Sequence, residues 1–149
     1  MSGGVDGAKV VALARGWIGT PYLHQAASRQ IGCDCLGLIR GLWRELYGAE
    51  PEAVPAYTPD WAEAGGDEKL WAAGLRHLLP CGDGVPLMPG QVLLFRMRPG
   101  AIAKHLGLAS QPGRFIHAYD RCGVIETALT SGWSRRIVAR FAFPAGRGL

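Results

Sequence analysis

The apolar residues of this chain repeat with one period before Pro89-Gly90 and with another after it, and that change restricts the fold more than any other feature. Upstream the spacing is helical. Val10, Val11, Ala14, Trp17 and Ile18 predict a helix over 7–18, with Asp6 as its N-cap and Gly19-Thr20-Pro21 as its stop. Residues 20–33 are polar and small and read as a loop. Leu36, Ile39, Trp43 and Leu46 then form a stripe, widened by Leu38 and Leu42, that predicts a second helix from Cys35 to Tyr47. Asp34 caps it, Gly48 ends it, and its broad apolar surface makes it central. Residues 49–66, with Pro51, Pro55, Pro59 and Gly65-Gly66, read as a long surface connection. A third helix is expected from about Asp67 to Leu79, acidic in its first turn, with Arg76 and His77 in its last, and closed by Pro80.

Downstream the period shortens to that of half-buried strands. Val92–Met97, His105–Ala109, Phe115–Tyr119, Val124–Leu129 and Ile137–Phe143 are separated by Pro99-Gly100, Pro112-Gly113, Gly123 and Ser131-Gly132. Helices first and strands second imply an α+β domain, with N-terminal helices packed on a C-terminal antiparallel sheet of about five strands. At 149 residues the chain fits a single domain, 1–149. A domain of that size buries roughly 70% of its unfolded surface and needs no disulfide or metal staple.

The formal charge of +4 favours an anionic partner. The basic residues are scattered, with only Arg135-Arg136 adjacent, which argues against nucleic acid as the main ligand. Val10-Val11-Ala12-Leu13-Ala14 is too short for a secretory apolar region, and no run reaches membrane-spanning length. Synthesis in the cytoplasm without a signal peptide is therefore expected, and action outside the cell needs another export route. Cys33, Cys35, Cys81 and Cys122 read as reduced thiols. Cys33 and Cys35 are separated by one residue, not the two to four of zinc knuckles, so no metal and no cofactor is expected.

The chemistry centres on Asp34-Cys35-Leu36-Gly37-Leu38. A thiol becomes a nucleophile at neutral pH only with help. A helix N-terminus offers unpaired N–H groups and a positive dipole end, and an imidazole offers a base. Cys35 stands at the start of the second helix, and His105 and His117 stand in the strand region. The plainer alternative is a small buried cysteine and two structural histidines. Loop length decides how the histidines relate. A loop of three or five residues puts both on one face of a hairpin, and a loop of two puts them on opposite faces. Gln111-Pro112-Gly113 suits the longer loop.

The chain resembles the NlpC/p60 cell-wall peptidases, which have a papain-like fold. The resemblance lies in Gly19-Thr20-Pro21-Tyr22, Asp34-Cys35-Leu36-Gly37-Leu38, Pro89-Gly90 before an apolar strand, Lys104-His105-Leu106-Gly107 and Phe115-Ile116-His117-Ala118, in that order. It implies Cys35 as nucleophile, His105 as general base and acid, and His117 as the residue orienting His105. It implies Tyr22 beside the thiol and Asp34 in substrate binding. The substrate it implies is the peptide stem of peptidoglycan, often cut between γ-D-glutamate and a diamino acid. The Asp-Cys-Leu-Gly form looks most like the phage-tail and gene-transfer-agent peptidases, which would make phage-like tail or baseplate proteins the partners. The chain departs from the family at Leu36, where many members carry serine, and at Leu23 and His24, where an aromatic and a glycine are usual.

Other residues take plainer readings. His77 suits a helix C-terminus and His24 a solvated loop. Arg96, Arg98 and Lys104 form a charged rim, and the tryptophans anchor core or interface. Three rival functions stand beside the peptidase. One is an inactive structural tail-tip protein with the same fold. Another is a cysteine amidase or acyltransferase acting on lipid or glycan, and the third is a metal-binding module. An active nucleophile is expected to show a depressed thiol pKa.

Overall fold

In a computed structural model, residues 4–52 and 68–145 are described. In chain order the elements are α1 (Gly7–Arg15), β1 (Ala27–Ser28), β2 (Gly32–Cys33), α2 (Cys35–Tyr47), α3 (Lys69–His77), β3 (Leu79–Pro80), β4 (Val92–Phe95), β5 (His105–Gln111), β6 (Arg114–Tyr119), β7 (Gly123–Ala128), α4 (Ser131–Ser134) and β8 (Ile137–Ala142). The helices lie against a six-stranded sheet of order β3-β8-β4-β5-β6-β7, in which every neighbouring pair is antiparallel. The α+β expectation holds.

The caps act as the sequence implies. Asp6 accepts from the Ala8 N–H at 3.1 Å, and Asp34 accepts from the Gly37 N–H at 2.7 Å. α2 spans Cys35–Tyr47 as expected and ends at Gly48, whose φ of 94° is left-handed. α1 is shorter than expected and stops at Arg15, yet Trp17 in the following turn is still buried. Turn residues can occupy core positions, so apolar spacing overran the helix.

Three further expectations are corrected. Leu79-Pro80 is not helical: it pairs with Phe141 and Ala142 and adds a sixth strand at the sheet edge, where proline loses no ladder bond. The loop over 20–33 contains the small β1–β2 ladder. Ser131-Gly132 opens a short helix rather than a simple turn. The connection over 49–66 and the start of the third helix at Asp67 lie mostly outside the described residues.

The sheet separates two apolar clusters. Val92, Leu94, Leu106, Leu108, Ile116 and Phe141 share the larger one with Leu38, Leu42 and Trp43 of α2 and Val10 and Ala14 of α1. Leu93, Phe95, Ala109 and Phe115 form the smaller one, with Trp133 and Ile137 against it. This alternation along β4 and β5 is the period-two pattern of strands buried on both faces.

Candidate active site

Cys35 is the first residue of α2, and the loop before that helix fixes its place. Asp34 is 3% exposed, and both of its carboxylate oxygens are engaged. One accepts from the Gly37 N–H and the other from the Gln25 N–H at 2.8 Å. The Asp34 N–H donates to the Ala26 carbonyl at 3.2 Å. That carbonyl packs so closely on the helix that a Cβ at Gly37 would stand 1.8 Å from it. The glycine of the Asp-Cys-Leu-Gly stretch is thus required by the loop lying across the first turn. Asp34, expected to bind substrate, also caps the helix and clamps the loop.

The half-buried Cys35 thiol donates to the Lys104 carbonyl at 3.7 Å. Backbone N–H groups of Leu106, Leu36 and Cys35 are directed at its sulfur. The thiol therefore meets the chain on either side of His105, at the first residues of β5. Tyr22 is joined to Cys33 through a parallel bridge. Its phenol is pushed up to about 12, mostly by burial and then by the neighbouring Cys35 and Asp34.

His105 and His117 meet directly. His105 Nε2 lies 2.7 Å from His117 Nδ1, and both rings are buried. The loop between them corrects the sequence reading. Gln111 pairs with Arg114, so the hairpin turn is the two residues Pro112-Gly113, with Gly113 at φ 79°. Two residues alone would send the imidazoles to opposite faces. Ala109 pairs with Phe115, however, so Ser110 is an extra residue bulged out of β5. The bulge restores the parity and puts both rings on one face.

Aromatic rings surround the pair on that face. Phe95 lies opposite His105, with ring centroids 5.6 Å apart, and Phe115 is 4.3 Å from His117. Tyr119 is 5.1 Å from His117. Trp133 of α4 completes the set. By its sequence alone it is a core or interface anchor. Thr130, whose hydroxyl accepts from the Trp133 N–H at 3.3 Å, is the N-cap signal that could have exposed α4.

The electrostatics also depart from expectation. Burial, followed by the Asp34 charge, pushes the Cys35 thiol up to about 12, and the directed backbone N–H groups offset this only partly. Burial and the neighbouring imidazole push His105 down to about 3, and burial pushes His117 down to about 4. The resting site is a neutral thiol and two neutral imidazoles, not the depressed thiolate that the helix dipole suggested. Desolvation outweighs the dipole here. Cys33 is fully buried in the larger cluster, and burial raises its thiol to about 12 as well.

The remaining candidates are structural. Arg96 donates to the Ala101 carbonyl at 2.7 Å and to Glu68 at 3.0 Å. Glu68 also accepts from the Ala103 N–H at 2.9 Å, so this pair clamps the loop leading into His105. His24 lies 3.8 Å from Asp34, and His77 bonds Glu52 beside Arg76. Among the described residues, no helix is long and apolar enough to cross a membrane.

The fold matches solved NlpC/p60 structures. The domain titled NlpC/p60 domain of peptidoglycan hydrolase SagA aligns over 93% of this chain and all of its own, with a TM-score of 0.60 and 22% identity. The chain has the papain-like NlpC/p60 fold. Among curated proteins, it is 26% identical over 113 residues to the Escherichia coli protein named "Probable endopeptidase NlpC". That match covers 76% of this chain and 62% of the relative. It is 27% identical over 121 residues to the Escherichia coli murein DD-endopeptidase MepS/murein LD-carboxypeptidase, covering 80% of this chain and 54% of the relative. No family model matches the chain. The chain spans little more than half the length of these curated relatives.

Proposed function

We propose that this NlpC/p60 protein is a cysteine peptidase that hydrolyses peptide bonds in peptidoglycan stems, γ-D-glutamyl–diamino acid bonds among them. The observation that carries the reading is the approach of the Cys35 thiol to the backbone flanking His105, whose ring is bonded to His117. The names of the curated relatives, an endopeptidase and a murein endopeptidase, support the substrate class.

In the proposed reaction, the Cys35 proton turns from the Lys104 carbonyl to His105 Nδ1. Nδ1 is free to accept because His105 Nε2–H donates to His117 Nδ1. Both partners are neutral at rest, so the proton moves as the sulfur attacks the amide carbonyl. The backbone N–H of Cys35 and the Tyr22 hydroxyl donate to the oxyanion. His105 returns the proton to the leaving amine, and water then releases the acyl group from sulfur.

We further propose that the protein acts from a phage-like tail or gene-transfer-agent particle assembled in the cytoplasm. This rests on the form of Asp34-Cys35-Leu36-Gly37 alone. Tail or baseplate proteins would then be its docking partners, and recovery of the chain free of particles in every fraction would count against it.

The decisive test of the enzyme is digestion of purified muropeptides, read by mass spectrometry, with Cys35→Ala as control. The wild type should release stem fragments, and the folded variant should release none. Equal cleavage by the two would remove Cys35 as nucleophile.

A further inference from the structure

Trp133 meets every ring around the two histidines. Its centroid lies 5.7 Å from His105 and 5.1 Å from His117, the latter edge-on at 81°. It lies 5.3 Å from both Phe95 and Phe115, and 5.7 Å from Tyr119. The other rings stand on the sheet, whereas Trp133 comes from the β7–β8 connection and packs onto them from outside. Its anchoring is specific. Thr130 caps its N–H, and Arg136 sits 6.0 Å from its ring. Arg136 in turn donates to the Met97 and Gly132 carbonyls, tying the short helix to the segment that follows β4. His117 is only 1% exposed, while Trp133 itself is half-buried with an outer side in solvent.

We propose that Trp133 is a positioning residue that closes the solvent side of the His105–His117 pair, excludes water from it and holds the two rings in their mutual hydrogen bond. An imidazole pair open to water could exchange that bond for solvent. The indole edge offers no competing acceptor, and its bulk removes the room. The low proton affinity of both rings agrees with such shielding. The relevance to turnover rests on His105 and His117 acting in the proposed peptidase reaction. The shielding itself does not.

The test is ring titration by NMR of the whole chain as wild type, Trp133→Ala and Trp133→Phe, with His24 and His77 as internal references. In Trp133→Ala, the His117 midpoint should rise by about one pH unit or more, a tenfold gain in proton affinity. Trp133→Phe should stay near the wild type. On muropeptide, the acidic limb of the kcat profile should move up in parallel in Trp133→Ala, with KM little changed. An unmoved titration in a folded Trp133→Ala overturns the proposal. A shifted titration in a chain that cleaves no muropeptide keeps the shield and overturns only the peptidase reading. If Trp133→Ala does not fold, deuterium exchange at the histidine C2–H of the wild type decides. His117 should exchange far more slowly than His24, and equal rates overturn the shield.

Discussion

His105 Nε2 stands 2.7 Å from His117 Nδ1 across a two-residue turn, and the bulged Ser110 takes up the one residue of β5 that would otherwise set the rings on opposite faces. Deleting Ser110 should remove the bulge, keep Ala109 opposite Phe115 and leave both rings on one face. The expected result is a chain with near-native circular dichroism and retained muropeptide cleavage. Loss of cleavage in the folded variant would show that the bulge shapes the site beyond this parity.

His117 accepts a bond from His105, a role that an amide oxygen can also fill. His117→Asn should therefore keep more activity than His117→Ala, and the latter should lose about 10²–10⁴-fold in kcat. Indistinguishable rates for the two variants would argue against an orienting bond.

Burial lowers the proton affinity of both histidines from the ordinary 6.5 to about 3 and about 4. The unfolded chain then binds more protons than the folded one between those values and 6.5, so stability is fully present above pH 6.5 and is lost as the pH falls. The slope should approach about 1.4 kcal/mol per pH unit for each histidine titrating only in the unfolded state. Urea denaturation between pH 7 and pH 4 measures it, and the slope should diminish in His105→Gln and His117→Gln.

Asp34 raises the Cys35 thiol by its charge and clamps the loop by its two hydrogen bonds. Asp34→Asn should lower the thiol pKa, seen as faster iodoacetamide labelling of Cys35 at pH 8. Asp34→Ala should cost about 2 kcal/mol or more, because it removes a helix cap and leaves buried N–H groups unpaired.

Gly37→Ala places a methyl group 1.8 Å from the Ala26 carbonyl. The loop or the helix start must move, and a destabilisation of about 3 kcal/mol is expected, with loss of cleavage as Cys35 shifts. Gly84→Ala, which meets no atom within 4 Å, is the control and should leave both unchanged.

The sequence by itself determined what depends on neighbours along the chain. Asp34 before the α2 stripe marked the helix start and so placed Cys35 at its first turn, because a cap and its N–H partner are three residues apart. Alternating apolar residues after Pro89-Gly90 located five strands and set His105 and His117 on adjacent ones. Only the tertiary structure decided what depends on distant partners. Pairing in space revealed the Ser110 bulge and enlisted Leu79-Pro80 as an edge strand. Packing across the sheet brought Trp133 onto the histidines from a segment that reads locally as a turn. Burial set the protonation of the site, reversing what the helix dipole suggested for Cys35, because desolvation depends on everything that surrounds a group and local sequence records only its nearest neighbours.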